Sequence, residues 1–177
     1  HHPGDHDILF SRANTQFSNH NWNGLLKTYQ DIYISDPDQD DLLIKIYEIG
    51  IATGNIELVR EIFWELKSYS NSPIIFEFLI EIANNDGEYD DAIDLMNELI
   101  ELTESTDELK IKLSELLLKA EYFDKVIDIL DPIYESSNYT LDILRMLLIS
   151  SSMLGLTEKE IKISKTLINE FPNLSIG

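Results

Sequence analysis

A repeat of 33 to 34 residues runs through this chain and constrains its fold more than any other feature. The clearest copy is the segment 86–93, in which a small turn residue and an aromatic residue precede two acidic residues, an alanine and an isoleucine. The residues that match its alanine, here called the marker positions, are Leu25, Val59, Ala92, Val126 and Glu160. A fixed period of this length is the signature of a protein that stacks one supersecondary unit many times.

The residues around each marker follow the spacing of a helix. Four positions past the marker come Tyr29, Phe63, Met96, Leu130 and Ser164, and seven positions past it come Ile32, Leu66, Leu99, Ile133 and Leu167. Offsets of four and three residues keep side chains on one face of a helix, so each marker lies on a helix with an apolar face. No strand-like alternation competes with this pattern, and seven glycines and five prolines are too few for a turn-rich β-sandwich.

Helix-start and turn signals divide the chain into pairs of helices. The segments Ser105–Glu108 and Thr157–Glu160 resemble capping boxes, in which a hydroxyl and a carboxylate satisfy free N–H groups. Gly54, Gly87 and Gly155 lie where paired helices must be joined by a sharp turn. We therefore expect residues 1–6 to be a tag remnant or a disordered N-terminus and residues 7–177 to form one helical domain. Its predicted hairpins are 7–35, 41–70, 73–103, 107–137 and 140–171.

The segment 86–93 and its 34-residue period resemble the tetratricopeptide repeat family. The resemblance covers about residues 6–173 and includes prolines twelve positions past the marker, Pro37 and Pro172, where the family often ends a second helix. It implies an all-α fold, a right-handed superhelix (an α-solenoid) of about five antiparallel helix-turn-helix repeats. Twelve positions before the marker the family prefers a small residue, but here three of the five residues are large: Ala13, Tyr47, Ile80, Ser114 and Leu148. A related helical-hairpin repeat remains an alternative.

The resemblance also implies where a ligand binds, because the first helices of this family line a concave groove. Helical geometry assigns thirteen residues of this chain to that face: Phe10, Asn14, Phe17, Ile44, Glu48, Ile51, Glu77, Glu81, Asn84, Ile111, Glu115, Leu118 and Arg145. The acids among them lie in the middle repeats, where family members that clamp a peptide carboxylate need Lys, Arg and Asn. We therefore expect a protein or peptide partner with basic and apolar residues. The alternative is that the apolar residues are core and the acids are only solvated.

A rival function is self-assembly. The first helix of the last hairpin is markedly apolar from Leu141 to Ile149, whereas terminal repeats need a polar capping face. This pattern predicts association of two copies through residues 140–177, or a further covering segment in the native protein.

Composition excludes several other functions. The net charge of −20 disfavours nucleic acid and anionic membranes, and no apolar run is long enough to insert into a bilayer. The absence of cysteine excludes disulfides and thiolate metal sites, while the segment Asp36–Asp41 lacks the glycine and the glutamate of a calcium loop. No catalytic or cofactor motif is present, so we expect no enzyme, no metal and no cofactor. The compartment is not fixed by the sequence, and we take a soluble, cytoplasmic protein as the expectation.

Overall fold

The computed structural model describes residues 3–172, with side chains from residue 7 onward. Ten α-helices lie within this part of the chain. They are α1 (Pro3–Ser18), α2 (Trp22–Ser35), α3 (Asp40–Thr53), α4 (Ile56–Leu66), α5 (Pro73–Asp86), α6 (Tyr89–Leu102), α7 (Asp107–Lys119), α8 (Phe123–Glu135), α9 (Leu141–Met153) and α10 (Thr157–Glu170). The described residues form no strand, so the predicted all-α class is confirmed.

The helices fall into two compact units, residues 1–86 and residues 87–177. In the first unit each helix packs against the next one along the chain, and α3 also contacts α5. The second unit repeats the arrangement, since α6 to α10 pack in order and α7 contacts α9. Thus one pair of first helices is in contact within each unit, α3 with α5 and α7 with α9. That residues 7–177 form one domain stays a prediction.

The marker positions are the centre of the helix packing. The four apolar markers, Leu25, Val59, Ala92 and Val126, have no exposed surface, while Glu160 in the last repeat is half-buried. Seven positions later the first four repeats again bury an aliphatic residue, whereas Leu167 of α10 is half-buried. The repeat is therefore a burial pattern, and it weakens in the last helix.

The turn inside each pair has the same backbone conformation in all five repeats. Five positions before the marker, the chain adopts a positive φ at His20, Gly54, Gly87, Glu121 and Gly155. Three of these residues are glycine, which adopts this region without steric cost. His20 (φ 56°) and Glu121 (φ 62°) adopt it with a side chain attached, which is unfavourable for an L-residue.

Both predicted capping boxes are displaced by one residue, since Thr106 rather than Ser105 is the N-cap of α7 and Leu156 rather than Thr157 is the N-cap of α10. The Thr106 hydroxyl accepts a hydrogen bond from the Leu109 N–H at 3.2 Å and caps α7. Thr157 is instead the first residue of α10, and Leu156 occupies the capping position without a side-chain hydrogen bond. The last helix therefore begins without the cap that its sequence suggested.

The first helix of each repeat contains a small residue at one of two positions. Twelve positions before the marker it is Ala13 or Ser114; nine positions before the marker it is Gly50, Ala83 or Ser151. All five are buried. Each repeat has its small residue at one of these positions and a larger residue at the other, so the small residue lies about one helical turn further along in three of the five first helices.

Gly50 shows how closely the helices approach. A Cβ atom built on Gly50 would lie 2.0 Å from Cγ2 and 3.2 Å from Cβ of Val59, the marker of α4. No real side chain tolerates the shorter distance, so only glycine fits this position of α3 while Val59 keeps its place.

Polar contacts link each of two second helices, α2 and α8, to the second helix of the next repeat or to the loop that follows it. The hydroxyls of Tyr33 and Ser70 are hydrogen-bonded at 3.0 Å, and Gln30 donates to Glu65 at 2.7 Å. The second unit has an equivalent link between α8 and α10, where the hydroxyls of Tyr134 and Thr166 lie 2.9 Å apart. These contacts satisfy polar groups that the packing would otherwise desolvate.

Candidate protein-binding site

The predicted binding residues of α1 lie on an exposed face of that helix. Phe10 is 40% exposed, Phe17 is 55% exposed and Asn14 is also exposed. Phe10 and Asn14 line an open surface depression of about 570 Å³ against α1. The ring of Phe17 meets the edge of Trp22 with centroids 5.6 Å apart, which holds one side of the ring in place.

In α3 and α5 the predicted residues come together on two neighbouring helices. Ile44, Glu48 and Ile51 are exposed along α3, and Glu77 and Glu81 are exposed along α5. The remaining predicted residue of this unit, Asn84, is half-buried. Because α3 contacts α5 directly, apolar side chains and carboxylates share one surface. We call this surface, with the two aromatic residues described next, the α3–α5 face.

Two aromatic residues that were not predicted as site residues lie in the α3–α5 face. The rings of Tyr47 and Phe78 stack with centroids 4.2 Å apart and an interplanar angle of 9°. Burial, together with a hydrogen bond to the Glu81 carboxylate and its negative charge, raises the pKa of the Tyr47 phenol above its usual value. The stack therefore ties α3 to α5 and fixes the position of one of the predicted acids.

The sequence does mark Tyr47 as unusual for its position in the repeat. Tyr47 occupies the position where the family wants a small residue. Because the close contact between α3 and α4 lies one turn later, at Gly50, the Tyr47 ring is accommodated against α5. Phe78 had no comparable signal, since no other repeat has an aromatic residue at its position, which holds Ser11, Lys45, Lys112 and Met146 in the other four.

In the second unit three predicted residues converge on one cleft. Glu115, Leu118 and Arg145 line a cleft of about 290 Å³ between α7 and α9. Its other lining residues are Lys119, Asp142, Met146 and Ile149. Arg145 forms an ion pair with Asp142 at 3.8 Å, so the cleft contains both charge signs. Ile111 is half-buried on α7 and does not line it. A continuous row of acids from Glu48 to Glu115 stays a prediction.

Another aromatic surface lies on the second helices and was not anticipated. Trp64 is 47% exposed on α4, and the Lys67 ammonium lies 5.0 Å from its ring centroid and 5.2 Å from that of Phe76. A cation between two rings makes a favourable contact and covers part of both.

The described part of the chain contains neither a metal-binding cluster nor a membrane-spanning helix. Among those residues, no group of three or more His, Asp or Glu side chains is placed to hold a metal ion. None of the described helices combines the length and the apolar character that crossing a membrane requires.

Comparison with solved structures identifies the fold. A crystal structure of the MamA protein is 15% identical over 97% of both chains, with a TM-score of 0.62. A tetratricopeptide repeat protein from Parabacteroides merdae is 16% identical over 96% of this chain and 68% of its own, with a TM-score of 0.63. YrrB, described as a TPR protein with an unusual peptide-binding site, is 14% identical over 92% of this chain and 84% of its own, with a TM-score of 0.64.

These similarities extend over nearly the whole chain, although the sequences have diverged widely. No model of a protein family matches the sequence, and no curated protein is significantly similar to it. The five pairs of helices therefore have the fold of tetratricopeptide repeats, and the predicted resemblance is confirmed at the level of the fold.

Proposed function

We propose that this protein is a non-catalytic scaffold that binds a segment of another protein on the α3–α5 face. The single observation that carries the proposal is the composition of that face. Exposed isoleucines of α3 lie beside a stacked aromatic pair and three exposed carboxylates, on two helices that contact each other. A segment with both apolar and basic side chains complements such a surface.

The apolar groups supply most of the expected affinity. Ile51 is 52% exposed and Ile44 is 39% exposed, so each has a large part of its side chain left to bury. Covering the rest of such a side chain contributes about 1 kcal/mol at 25 cal/mol per Å². The stacked rings of Tyr47 and Phe78 are already ordered, so a ligand that packs on them loses little side-chain entropy.

The carboxylates act mainly on association and selectivity. Glu48, Glu77 and Glu81 are exposed, so each contact with a ligand Lys or Arg contributes only about 0–1 kcal/mol. Their combined field, in a chain of net charge −20, accelerates encounters with basic segments and repels acidic ones.

The fold supports this proposal in general terms. Repeat solenoids commonly use the surface formed by successive repeats for binding. YrrB, one of the solved structures with this fold, has a peptide-binding site. The carboxylates of the α3–α5 face lead us to expect a basic segment for this chain.

The test is to select peptides from a random library on the immobilised protein and to measure their binding rates. We expect the selected peptides to combine basic and apolar residues. Reversing Glu77 and Glu81 to Lys slows association several-fold and flattens its dependence on salt. A control reversal of Glu61, an exposed acid on α4, changes both much less.

A second pair of variants separates the apolar contribution. Ile44→Ala speeds peptide dissociation, whereas Leu102→Ala, at a residue of equal exposure (39%) at the end of α6, leaves dissociation unchanged. Selection of acidic peptides, or equal effects of Glu81→Lys and Glu61→Lys, would show that the α3–α5 face is not the binding site.

A further inference from the structure

The last two helices expose more large apolar side chains than any other pair. Those that are more than 40% exposed from α9 to α10 are Ile149, Met153, Leu154, Leu156, Ile161 and Ile168. Ile161 and Ile168 lie seven residues apart and so share one stripe of α10. These two residues are 50% and 58% exposed.

The repeat register shows what normally covers this stripe. The position of Ile161 is held by Leu26, Ile93 and Ile127 in three earlier second helices, and those residues are at most 7% exposed. The position of Ile168 is held by Tyr33, Ile100 and Tyr134, which are buried or half-buried. In each case the next helix along the chain packs on that second helix, as α3 does on α2 and α9 on α8. Within the described residues, nothing follows α10 to do the same.

The first helix differs from the last at its corresponding uncovered face. Thirteen positions before the marker, the later first helices bury Ile46, Leu79, Leu113 and Leu147, but α1 has the exposed Arg12 there. A head-to-tail stack of two copies would set the Arg12 guanidinium against the isoleucines of α10. Burial of an unpaired charge is unfavourable, so this stack is disfavoured.

The distribution of charge also favours association of two copies through the C-terminal hairpin. Residues 140–172 contain four acids and four bases, so their net charge is zero. The other 29 acids and 9 bases account for the whole charge of −20. Two copies of such an acidic chain repel each other on most approaches, and the last hairpin is the neutral surface that avoids this repulsion.

We propose that α10 pairs with α10 of a second copy, antiparallel about a two-fold axis. The stripe is self-complementary in this orientation, since Ile161 of each copy faces Ile168 of the other. The two-fold axis passes between Ser164 and Lys165, so the Lys165 side chains of the two copies come near each other. This dimer is independent of peptide binding on the α3–α5 face.

The proposal is tested by sedimentation velocity across a range of concentrations up to about 1 mM, the weak end of useful affinities. The unaltered chain is expected to form dimers and nothing larger, and added salt should strengthen them by screening the repulsion between acidic copies. Ile161→Glu or Ile168→Glu should weaken dimerisation at least tenfold, because each places a carboxylate in the interface. Ile8→Glu is the matched control, since Ile8 is 66% exposed on α1 and should not affect the dimer.

Lys165 provides the sharpest readout because its effect has the opposite sign. Lys165→Ala should strengthen the dimer, since it removes repulsion near the axis, and a solvated lysine elsewhere would have no such effect. The chain has no cysteine, so Lys165→Cys introduces a single thiol. That thiol should form a disulfide-linked dimer on oxidation, while Ile8→Cys should not.

A monomer at every concentration, or growth beyond the dimer, would overturn the proposal. So would a dimer that Ile8→Glu disrupts and Ile161→Glu does not. Circular dichroism of each variant excludes loss of the helices as the cause of a change in association.

Discussion

The close contact between Gly50 and Val59 leads to a prediction in which a usually favourable substitution reverses its sign. Replacing glycine by alanine inside a helix ordinarily stabilises it by about 0.5–1 kcal/mol. Here the new Cβ atom would lie 2.0 Å from Cγ2 of Val59, and Val59 has no exposed surface into which it could move. Because a valine in a helix strongly prefers one rotamer, the clash must be relieved by shifting α3 away from α4.

The expected magnitude follows from these opposing effects. Overpacking by one methyl group costs about 1–3 kcal/mol, which exceeds the gain in helix propensity. Gly50→Ala should therefore lower the free energy of unfolding by about 1–2 kcal/mol. Val59→Ala removes two buried methyl groups and should cost about 2 kcal/mol on its own.

The double variant distinguishes a clash from a general defect. With Val59 reduced to alanine, the added methyl of Gly50→Ala fills the space left behind, so it should become neutral or stabilising by up to about 1 kcal/mol. Urea unfolding, monitored by circular dichroism, gives the free energies of unfolding of the unaltered chain, the two single variants and the double variant. Additive effects, or a stabilising Gly50→Ala in the unaltered chain, would refute the close contact between α3 and α4.

Three other predictions concern the turns and the polar contacts. Glu121→Gly should raise the free energy of unfolding by about 0.5–1 kcal/mol, because Glu121 has a φ of 62° that glycine adopts without strain. Gly87→Ala should lower it by a similar amount, because Gly87 has a φ of 78°. Urea unfolding measures both changes. Tyr33→Phe should cost about 1 kcal/mol in the same assay, because it removes the hydrogen bond between the Tyr33 and Ser70 hydroxyls and leaves Ser70 Oγ only the Ser72 N–H as a partner; an unchanged midpoint would contradict this. Because the pKa of Tyr47 is raised in the folded protein, it contributes stability that is fully present below pH 10, the usual pKa of a tyrosine, and that is lost as the pH rises through the pKa of the folded state. Glu81→Gln should lower the pKa of Tyr47, which an absorbance titration of the phenolate measures.

The period and the helical faces could be predicted from the sequence because they depend on local spacing. Marker positions that recur every 33 or 34 residues, with apolar residues four and seven positions later, are compatible with few folds other than a stack of helix pairs. Phe17, Ile51 and Glu81, which the same spacing assigned to the binding faces of their helices, are exposed, and their role in binding stays a prediction. In such cases the side-chain direction follows from the helix alone.

Features that depend on a neighbouring helix could not be predicted in this way. The stack of Tyr47 on Phe78 joins residues 31 positions apart and requires the shifted contact at Gly50. Ile168 is exposed because, within the described residues, no helix packs on that face of α10, although the equivalent residues of the earlier repeats are buried or half-buried. The displaced start of α10 at Thr157 similarly depends on the turn that precedes it.

The alternative positions of the small residue constrain how these repeats can change over many generations. Moving the small residue from one turn to the next requires two substitutions, and their order matters. If the large residue appears first, both positions are large and the helices are forced apart, as Gly50→Ala would do on a smaller scale. If the second small residue appears first, the pair loses only some packing and remains folded. The order of substitutions that preserves the fold therefore passes through a repeat with two small residues. A relative of this chain at that intermediate stage should have small residues at both positions and a lower stability.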